Sequence, residues 1–317
     1  MPERRLLWIV VLLAFLVSCS STPSRSGTTA SANGATAATA NAGIWKPSIG
    51  DRWQYQLQNR RAFTDTGGIN VGICAQPFAG GACVRPNVFD IDLYGTGGGL
   101  ATKAVDAIHA AGGHAICYID AGSIETYRPD YPRFVRFDRA CHGCLIGNPF
   151  SKVFNDENWA NINNDQGQRD FMLKMNEERV AKCKEAGFDA VEFDVVEAYN
   201  SSYRTVGWHI SPETQLTFNS ALADIAHRYG MSVGLKNDLG QIPELLPKFD
   251  FAINEQCFQY HECDNLNMFI QAGKPVFQVE YRLPLKEFCA KADAAEFSSI
   301  LKSPHYSLFD TPYTPCR

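Results

Sequence analysis

The chain has 317 residues, of which 45% are hydrophobic and 20% charged, and its formal net charge is −5 at pH 7. This balance is typical of a soluble globular protein with enough apolar material for one large core or two smaller ones. The mild acidity and the lack of lysine- or arginine-rich runs predict that the protein does not bind nucleic acid.

The first 18 residues have the pattern of an export signal. Two arginines precede an apolar run from Leu6 to Val17, which is too short for a comfortable membrane span and fits a signal-peptide core. The run leads into a Leu-Val-Ser-Cys sequence that ends at Cys19 and resembles a bacterial lipobox. We therefore predict a signal peptide over 1–18, lipidation of Cys19 and an exported protein anchored to a membrane, at the cell surface or in the periplasm. An ordinary cleaved secretion signal is the alternative.

Residues 19–43 are rich in Ser, Thr, Ala and Gly and contain almost no large apolar side chain. Such a segment cannot bury a core, so it is predicted to be a flexible tether. The folded domain is then predicted to span 44–317.

Ten cysteines follow Cys19, and an even number in an exported protein predicts disulfide bonds. Cys141 and Cys144 form a CxxC pair, which could be a structural bond or a redox or zinc pair. No second CxxC accompanies it, and export favours the structural bond, so no metal site is predicted. Two further pairs are close enough in sequence to close loops: Cys74 with Cys83 and Cys257 with Cys263.

Short apolar runs alternate with amphipathic stretches along the rest of the chain. The amphipathic stretches 100–113, 168–188, 212–230 and 266–274 contain glycines at or near their ends that suit helix C-termini, and Ser211 is placed to cap the third. Eight strands alternating with helices predict an α/β fold, a single (β/α)₈ TIM barrel. A doubly wound sheet is the alternative, but no strand is followed by a GxGxxG turn. The predicted strands are Trp53–Leu57, Val88–Tyr94, Ala115–Asp120, Ala190–Val196, Ser232–Lys236, Phe251–Glu255, Val276–Tyr281 and Tyr306–Asp310.

Almost every predicted strand ends in an acid or an amide, and chemistry in such a barrel lies at the carboxyl ends of the strands. Side chains two residues apart on a strand point to the same side. Asp194 is therefore the better catalytic candidate, and Glu192, two residues further in, the better structural one. Lys236 and Arg128 are the nearest predicted cations. When the pKa values of two carboxyl groups differ, one can act as an acid while the other remains an anion, and glycoside hydrolysis requires such a pair.

Six segments follow one another along the chain: FDIDLYGT, CYIDAGSIETYRPDYPRF, GFDAVEFDVVEAYNSS, SVGLKND, FAINEQCFQYHEC and GKPVFQVEY. Their order and spacing resemble glycoside hydrolase family 114, the endo-α-1,4-polygalactosaminidases. Members often have Pro-Asp-Asn where this chain has Phe193-Asp194-Val195, and the cysteine-rich CHGC stretch has no place in the family pattern. The resemblance implies a TIM barrel, cleavage of α-1,4-linked galactosamine chains and two catalytic carboxylates.

The two implied catalytic carboxylates fall at Asp194, the expected nucleophile or charge stabiliser, and Glu255, the expected general acid and base. Their separation distinguishes mechanisms, at about 5–5.5 Å for retention and about 6.5–9.5 Å for inversion. We expect a cationic or partly acetylated galactosamine polysaccharide as partner, no cofactor and a monomer. Predicted substrate-binding residues are Asp90, Asp92, Tyr118, Asp120, Glu125, Lys236, Asn237, Glu280 and Tyr281. Tyr127 and Trp208 are further candidates for stacking on sugar rings.

Two other functions remain open from the sequence. A surface lipoprotein that binds carbohydrate without turnover would keep the acidic cleft and release no reducing ends. A metal-dependent hydrolase or deacetylase would be sensitive to chelators, although the histidines lack metal-ligand spacing.

Overall fold

The structure is a computed structural model that describes residues 43–317. The predicted signal peptide, Cys19 and nearly all of the predicted tether lie outside these residues. Among the helices of the described part, none is long and apolar enough to cross a membrane. The strands are β1 Trp53–Tyr55, β2 Val88–Asp92, β3 His114–Asp120, β4 Ser123–Glu125, β5 Ile146–Pro149, β6 Glu157–Ala160, β7 Ala190–Asp194, β8 Ser232–Lys236, β9 Phe251–Glu255, β10 Val276–Glu280, β11 Ser298–Leu301 and β12 Thr314–Pro315.

The helices lie mainly between consecutive strands of the large sheet. Helix α5 (Pro212–Arg228) begins as its sequence predicts, because Ser211 Oγ accepts a hydrogen bond of 3.2 Å from Thr214 N and Pro212 occupies the first turn. Helix α3 (Gln168–Ala186) ends at Gly187, which has a φ of 93° that favours glycine. The α-helices are α1 Thr102–Ala110, α2 Tyr131–Ala140, α3 Gln168–Ala186, α4 Tyr203–Val206, α5 Pro212–Arg228, α6 Ile242–Leu245, α7 Cys257–Tyr260, α8 Asn267–Gln271 and α9 Leu285–Ala294.

Eight parallel strands form the large sheet, in the order β1-β2-β3-β7-β8-β9-β10-β11, with β12 antiparallel at its end. Side chains bridge its first and last parallel strands. Trp53 Nε1 donates to the Ser298 carbonyl at 2.9 Å, and Lys302 Nζ donates to Gln54 Oε1 at 3.0 Å. The strand order never reverses, as it would in a doubly wound sheet. The prediction of a TIM-barrel fold is confirmed.

The prediction of the last strand, Tyr306–Asp310, was wrong. Residues 306–310 form no strand, and the eighth parallel strand is β11, which pairs with β10. The sequence of β11 is Ser-Ser-Ile-Leu, and four residues that begin with two serines give too weak an apolar signal to stand out. The segment around 306–310 is apolar because Leu308 and Tyr306 line a cleft above the sheet.

A small antiparallel sheet of β4, β6 and β5 interrupts the barrel after β3. No strand was predicted for this insertion, which includes the CHGC stretch. Its strands are only three or four residues long and carry polar and glycine positions, so they lack a strong period of two. The insertion brings Glu157 and Trp159 to the wall of the same cleft.

All ten cysteines of the described part are paired. Both predicted loop closures are present, and the CxxC cysteines are bonded to each other. The Cys117–Cys183 bond joins β3 to α3 across 66 residues, a loop for which chain entropy gives about 4 kcal/mol of stabilisation. The pairs are Cys74–Cys83, Cys117–Cys183, Cys141–Cys144, Cys257–Cys263 and Cys289–Cys316.

The bridge between β1 and β11 can be tested with Trp53→Phe. This variant should lower the free energy of unfolding by about 1–2 kcal/mol more than Trp159→Phe, because it removes a hydrogen bond that joins β1 to β11. Trp159 is a matched control, since its indole nitrogen is buried without a hydrogen-bond partner in the described chain. Denaturant unfolding of both variants measures the difference, and equal losses would contradict a role of this hydrogen bond.

Candidate active site

Three charged side chains meet where three neighbouring strands end. Asp194, Lys236 and Glu255 are the last residues of β7, β8 and β9, which are paired in parallel register. Lys236 Nζ lies 3.0 Å from Asp194 Oδ1 and 3.6 Å from Glu255 Oε2. The lysine is 1% exposed, whereas the side chains of Asp194 and Glu255 are 21% and 28% exposed. One buried ammonium thus holds two carboxylates that both reach solvent.

The backbone is strained directly after each of these three residues. Val195, Asn237 and Gln256 have φ values of 59°, 48° and 65°. Such a conformation is rare for residues other than glycine and especially unfavourable for β-branched valine, with a cost of about 1–3 kcal/mol each. Gly122 packs so closely on Val195 that a Cβ would lie 1.7 Å from the Val195 carbonyl oxygen. Strain retained at three consecutive strand ends indicates a functional site.

Asp194 is held as an anion by three donors. Its Oδ2 accepts from Tyr118 OH at 2.8 Å, and its Oδ1 accepts from Val195 N at 2.8 Å and contacts Lys236. Burial by itself would raise the pKa of Asp194, but the Lys236 ammonium and these hydrogen bonds outweigh burial and hold the pKa below its ordinary value. Asp194 is therefore ionised at neutral pH.

Glu255 is oriented by different partners. Tyr281 OH donates to its Oε1, and its backbone N–H donates to Asn237 Oδ1 at 3.0 Å. Asn237 in turn donates from Nδ2 to Glu197 Oε1 at 3.3 Å, and Glu197 also accepts from Asp238 N at 3.1 Å. The loops after β7 and β8 are thereby tied to the strand that carries Glu255.

The two carboxylates open into a cleft of about 450 Å³. Acidic and amide groups lie at its floor, while apolar side chains from the small sheet and from the 306–308 segment form walls. Val153 and Phe154 are exposed at the rim, 65% and 39% respectively. The lining residues are Tyr55, Leu57, Tyr118, Phe150, Ser151, Val153, Phe154, Glu157, Trp159, Asp194, Val195, Glu197, Asn237, Glu255, Gln256, Tyr281, Tyr306 and Leu308.

A second group of carboxyls lies beside the cleft. Oxygens of Asp120, Glu125 and Glu157 lie within 4.8 Å of one another, and Glu157 lines the cleft. Burial, and then repulsion from neighbouring carboxylates, raises the pKa of Asp120 to about 8 and that of Glu157 to about 9. Arg128 neutralises Glu125 at 2.6 Å and also binds Asp92 at 2.7 Å. Arg128, predicted as a cation for the central carboxylates, thus serves this outer group.

The predicted substrate-binding residues fall into two sets. Tyr118, Asn237 and Tyr281 line the cleft, and Lys236 contacts the two central carboxylates from below. The others contact protein groups and do not line the cleft: Asp90 and Glu280 are fully buried, Asp92 is bound by Arg128, and Asp120 and Glu125 are buried behind Glu157. Tyr127, which donates to Glu125, and Trp208 also lie away from the cleft lining.

Sequence reasoning missed several residues of the cleft. Glu157, Phe150 and Trp159 come from the insertion, whose short strands carry no clear pattern, so no local signal marks them. Tyr55 was identified only as part of a strand, yet its hydroxyl lies 3.3 Å from both Glu192 Oε1 and Lys236 Nζ. A polar tip in the middle of an apolar strand was the available signal for Tyr55.

A parallel barrel with two carboxylates facing a cleft at the carboxyl ends of its strands is the arrangement of a barrel glycoside hydrolase. Residues 34–317 match glycoside-hydrolase family GH114, and the chain belongs to this family. It is a glycoside hydrolase.

Solved structures agree with this assignment. The structure of Aspergillus fumigatus Ega3 in complex with galactosamine is 28% identical, with a TM-score of 0.64 over 84% of this chain and 96% of that one. The glycoside hydrolase domain of PelA from Pseudomonas aeruginosa is 13% identical, with a TM-score of 0.52 over 83% of this chain and 97% of that one, and shows the fold alone. The chain has no match among the curated proteins compared.

Removal of the shared ammonium should raise the pKa of Asp194. In Lys236→Met we expect the acidic limb of the kcat/KM profile to move to higher pH by about one unit or more, because the attraction that keeps Asp194 ionised is lost. The free energy of unfolding should fall by about 3–5 kcal/mol, as for other broken buried ion pairs. Lys248→Met, which breaks an exposed pair with Asp224, is the control. An unmoved limb in folded Lys236→Met would contradict the assigned coupling.

Proposed function

We propose that the protein is an endo-acting hydrolase of α-1,4-linked, galactosamine-containing polysaccharide and that Asp194 and Glu255 carry out the reaction. The observation that carries this proposal is the pair of carboxylates bound to one buried lysine at the floor of a 450 Å³ cleft, in a member of family GH114.

The two carboxylates are suited to different tasks. Asp194 has three donors and a lowered pKa, which suits an anion that attacks or stabilises the positive charge developing at the anomeric carbon. Glu255 is further from the ammonium and more exposed, and its carboxyl group has a hydroxyl neighbour in Tyr281. Glu255 is therefore the better proton donor to the glycosidic oxygen and the better base toward water in the second half of the reaction.

A cationic sugar fits the charges of the cleft. Ega3, the solved relative at 28% identity, was crystallised with galactosamine. The raised pKa values of Glu157 and Asp120 mean that this wall is short of positive charge. A sugar ammonium placed there would lower both pKa values and gain a charge-assisted hydrogen bond. The apolar faces of sugar rings would pack on the apolar side chains of the cleft lining, among them Phe150, Phe154 and Tyr306.

The place of action is also part of the proposal. Five disulfide bonds fit an exported protein. Lipidation at Cys19 with a tether over 19–43 would hold the domain at a membrane surface and leave the cleft free to engage an extracellular polymer. Labelling with a radioactive fatty acid, with Cys19→Ala as control, tests the anchor independently of activity.

Conversion of either central carboxylate to its amide should abolish most turnover. Asp194→Asn and Glu255→Gln should each lower kcat by about 10²–10⁴-fold, because one lacks the anion and the other the transferable proton. Release of reducing ends from deacetylated galactosaminogalactan measures the rate, and oligosaccharide products would demonstrate endo cleavage. The surface variant Asp224→Asn is the control. Wild-type rates in either folded variant would overturn the assignment.

The acidic wall should recognise charge on the substrate. Glu157→Gln should raise KM for the deacetylated polymer about tenfold, which is the loss of about 1.4 kcal/mol of binding free energy, with a smaller effect on kcat. The increase should be much smaller for the acetylated polymer, whose nitrogen carries no charge. Steady-state kinetics on the two polymers compare the effects, and an equal KM increase for both would show that Glu157 does not bind an ammonium.

A further inference from the structure

A second pair of acids lies directly beneath the reacting carboxylates. Glu192 is two residues before Asp194 on β7. Asp90 lies on β2, and β3 separates β2 from β7 in the sheet. Both side chains are 0% exposed. Glu192 Oε1 contacts Lys236 Nζ at 3.1 Å from below, opposite the contacts that the lysine makes with Asp194 and Glu255.

The charges at this place do not balance if every acid is ionised. Glu192, Asp194 and Glu255 contact one ammonium group, that of Lys236, which also attracts the charge of Asp90. Within residues 43–317, no N–H or O–H group of a non-acidic side chain or of the backbone donates to either carboxyl oxygen of Asp90. A buried carboxylate without donors costs many kcal/mol, so the group takes up a proton instead.

The Glu192 carboxyl is the one available partner for that proton in the described chain. Glu192 Oε2 is likewise buried without a hydrogen-bond partner in the described chain, and a hydrogen bond between the two carboxyls satisfies both if one of them is protonated. Burial, then repulsion from Glu192, raises the pKa of Asp90 well above its ordinary value, and the attraction of Lys236 does not offset this. Burial also raises the pKa of Glu192, but the Lys236 ammonium and the hydrogen bond from Asp90 both act against that increase.

We propose that Asp90 is a neutral carboxylic acid that donates its proton in a hydrogen bond to Glu192, and that this inner acid pair positions Lys236 against Asp194 and Glu255. Asp90 and Glu192 are positioning residues that do not reach the cleft. The positioning role rests on the proposed function, whereas the protonation state of Asp90 does not.

The neighbours of the pair are consistent with one shared proton. The titratable groups that face Asp90 are Tyr55 on β1, Glu192 and Asp194 on β7, and Lys236 on β8. Burial raises the pKa of Tyr55, so its hydroxyl stays protonated and lies 3.3 Å from Glu192 Oε1. With Asp90 neutral, the inner layer carries a single negative charge. A second one there would raise the pKa of Asp194 by repulsion and weaken its role as an anion.

The protonation state can be read from stability as a function of pH. The pKa of Asp90 is higher in the folded than in the unfolded state, so this residue makes the wild type less stable as the pH rises above about 4. An asparagine at this position cannot ionise, so the Asp90→Asn variant does not lose stability in this way. The melting temperature of Asp90→Asn minus that of the wild type should therefore increase by about 5 °C between pH 5 and pH 7. A difference that is constant or that decreases with pH would show Asp90 to be ionised and overturn the proposal, whatever the protein's activity.

The positioning role is tested by a donor and a non-donor at the same site. Relative to Asp90→Asn, Asp90→Leu should have a kcat about tenfold lower, because Glu192 loses its hydrogen bond and Lys236 its fixed anion. KM should differ little between the two variants, because Asp90 does not line the cleft. Equal kcat values, or a difference confined to KM, would overturn the positioning role. If the wild type and both variants were all inactive on galactosamine polymers, the proposed function would be rejected instead. The melting experiment would still decide the protonation state of Asp90.

Discussion

The candidate active site depends on the ion pairs that the Lys236 ammonium makes with the surrounding carboxylates. The ammonium is almost completely buried, and it lies 3.0–3.6 Å from oxygens of Asp194, Glu192 and Glu255. Like charges at such distances destabilise one another, and a buried ammonium without partners is equally unfavourable. Each group therefore makes the burial of the others possible. Removal of the cation would change the ionisation of Asp194 and the stability of the barrel together.

The barrel supplies the geometry that this interaction needs. Parallel pairing of β7, β8 and β9 brings the last residue of each strand to one mouth, and positive φ values immediately afterwards turn the chain away. The strain is tolerated because the surrounding contacts define these turns, among them the close approach of Gly122 to Val195. Two layers of acids result, an outer one that reaches solvent and an inner one, Asp90 and Glu192, that does not. The different access to water gives carboxyl groups of the same type different states of ionisation.

Much of the barrel could be predicted from the sequence because its strands are covered on both faces and are therefore continuously apolar. β8 and β9 were predicted with the bounds that the structure has, and most other barrel strands to within one or two residues. β11 was missed because its burial depends on neighbours from distant parts of the chain and not on its own composition. The same limit applies to the insertion that carries β4, β5 and β6.

The residues that could do chemistry are visible in the amino-acid sequence: acids and amides at strand ends, a period of two that separates Asp194 from Glu192, and an even set of cysteines. Which of them share a cation, which line the cleft and which are buried beneath it depends on the folded barrel. Asp90 and Asp194 both follow apolar residues on predicted strands, yet Asp90 has no donor other than a second acid and Asp194 has three. Ionisation depends on distance and on access to water. Both are set by the packing of strands that are far apart in the chain, so local sequence cannot specify them.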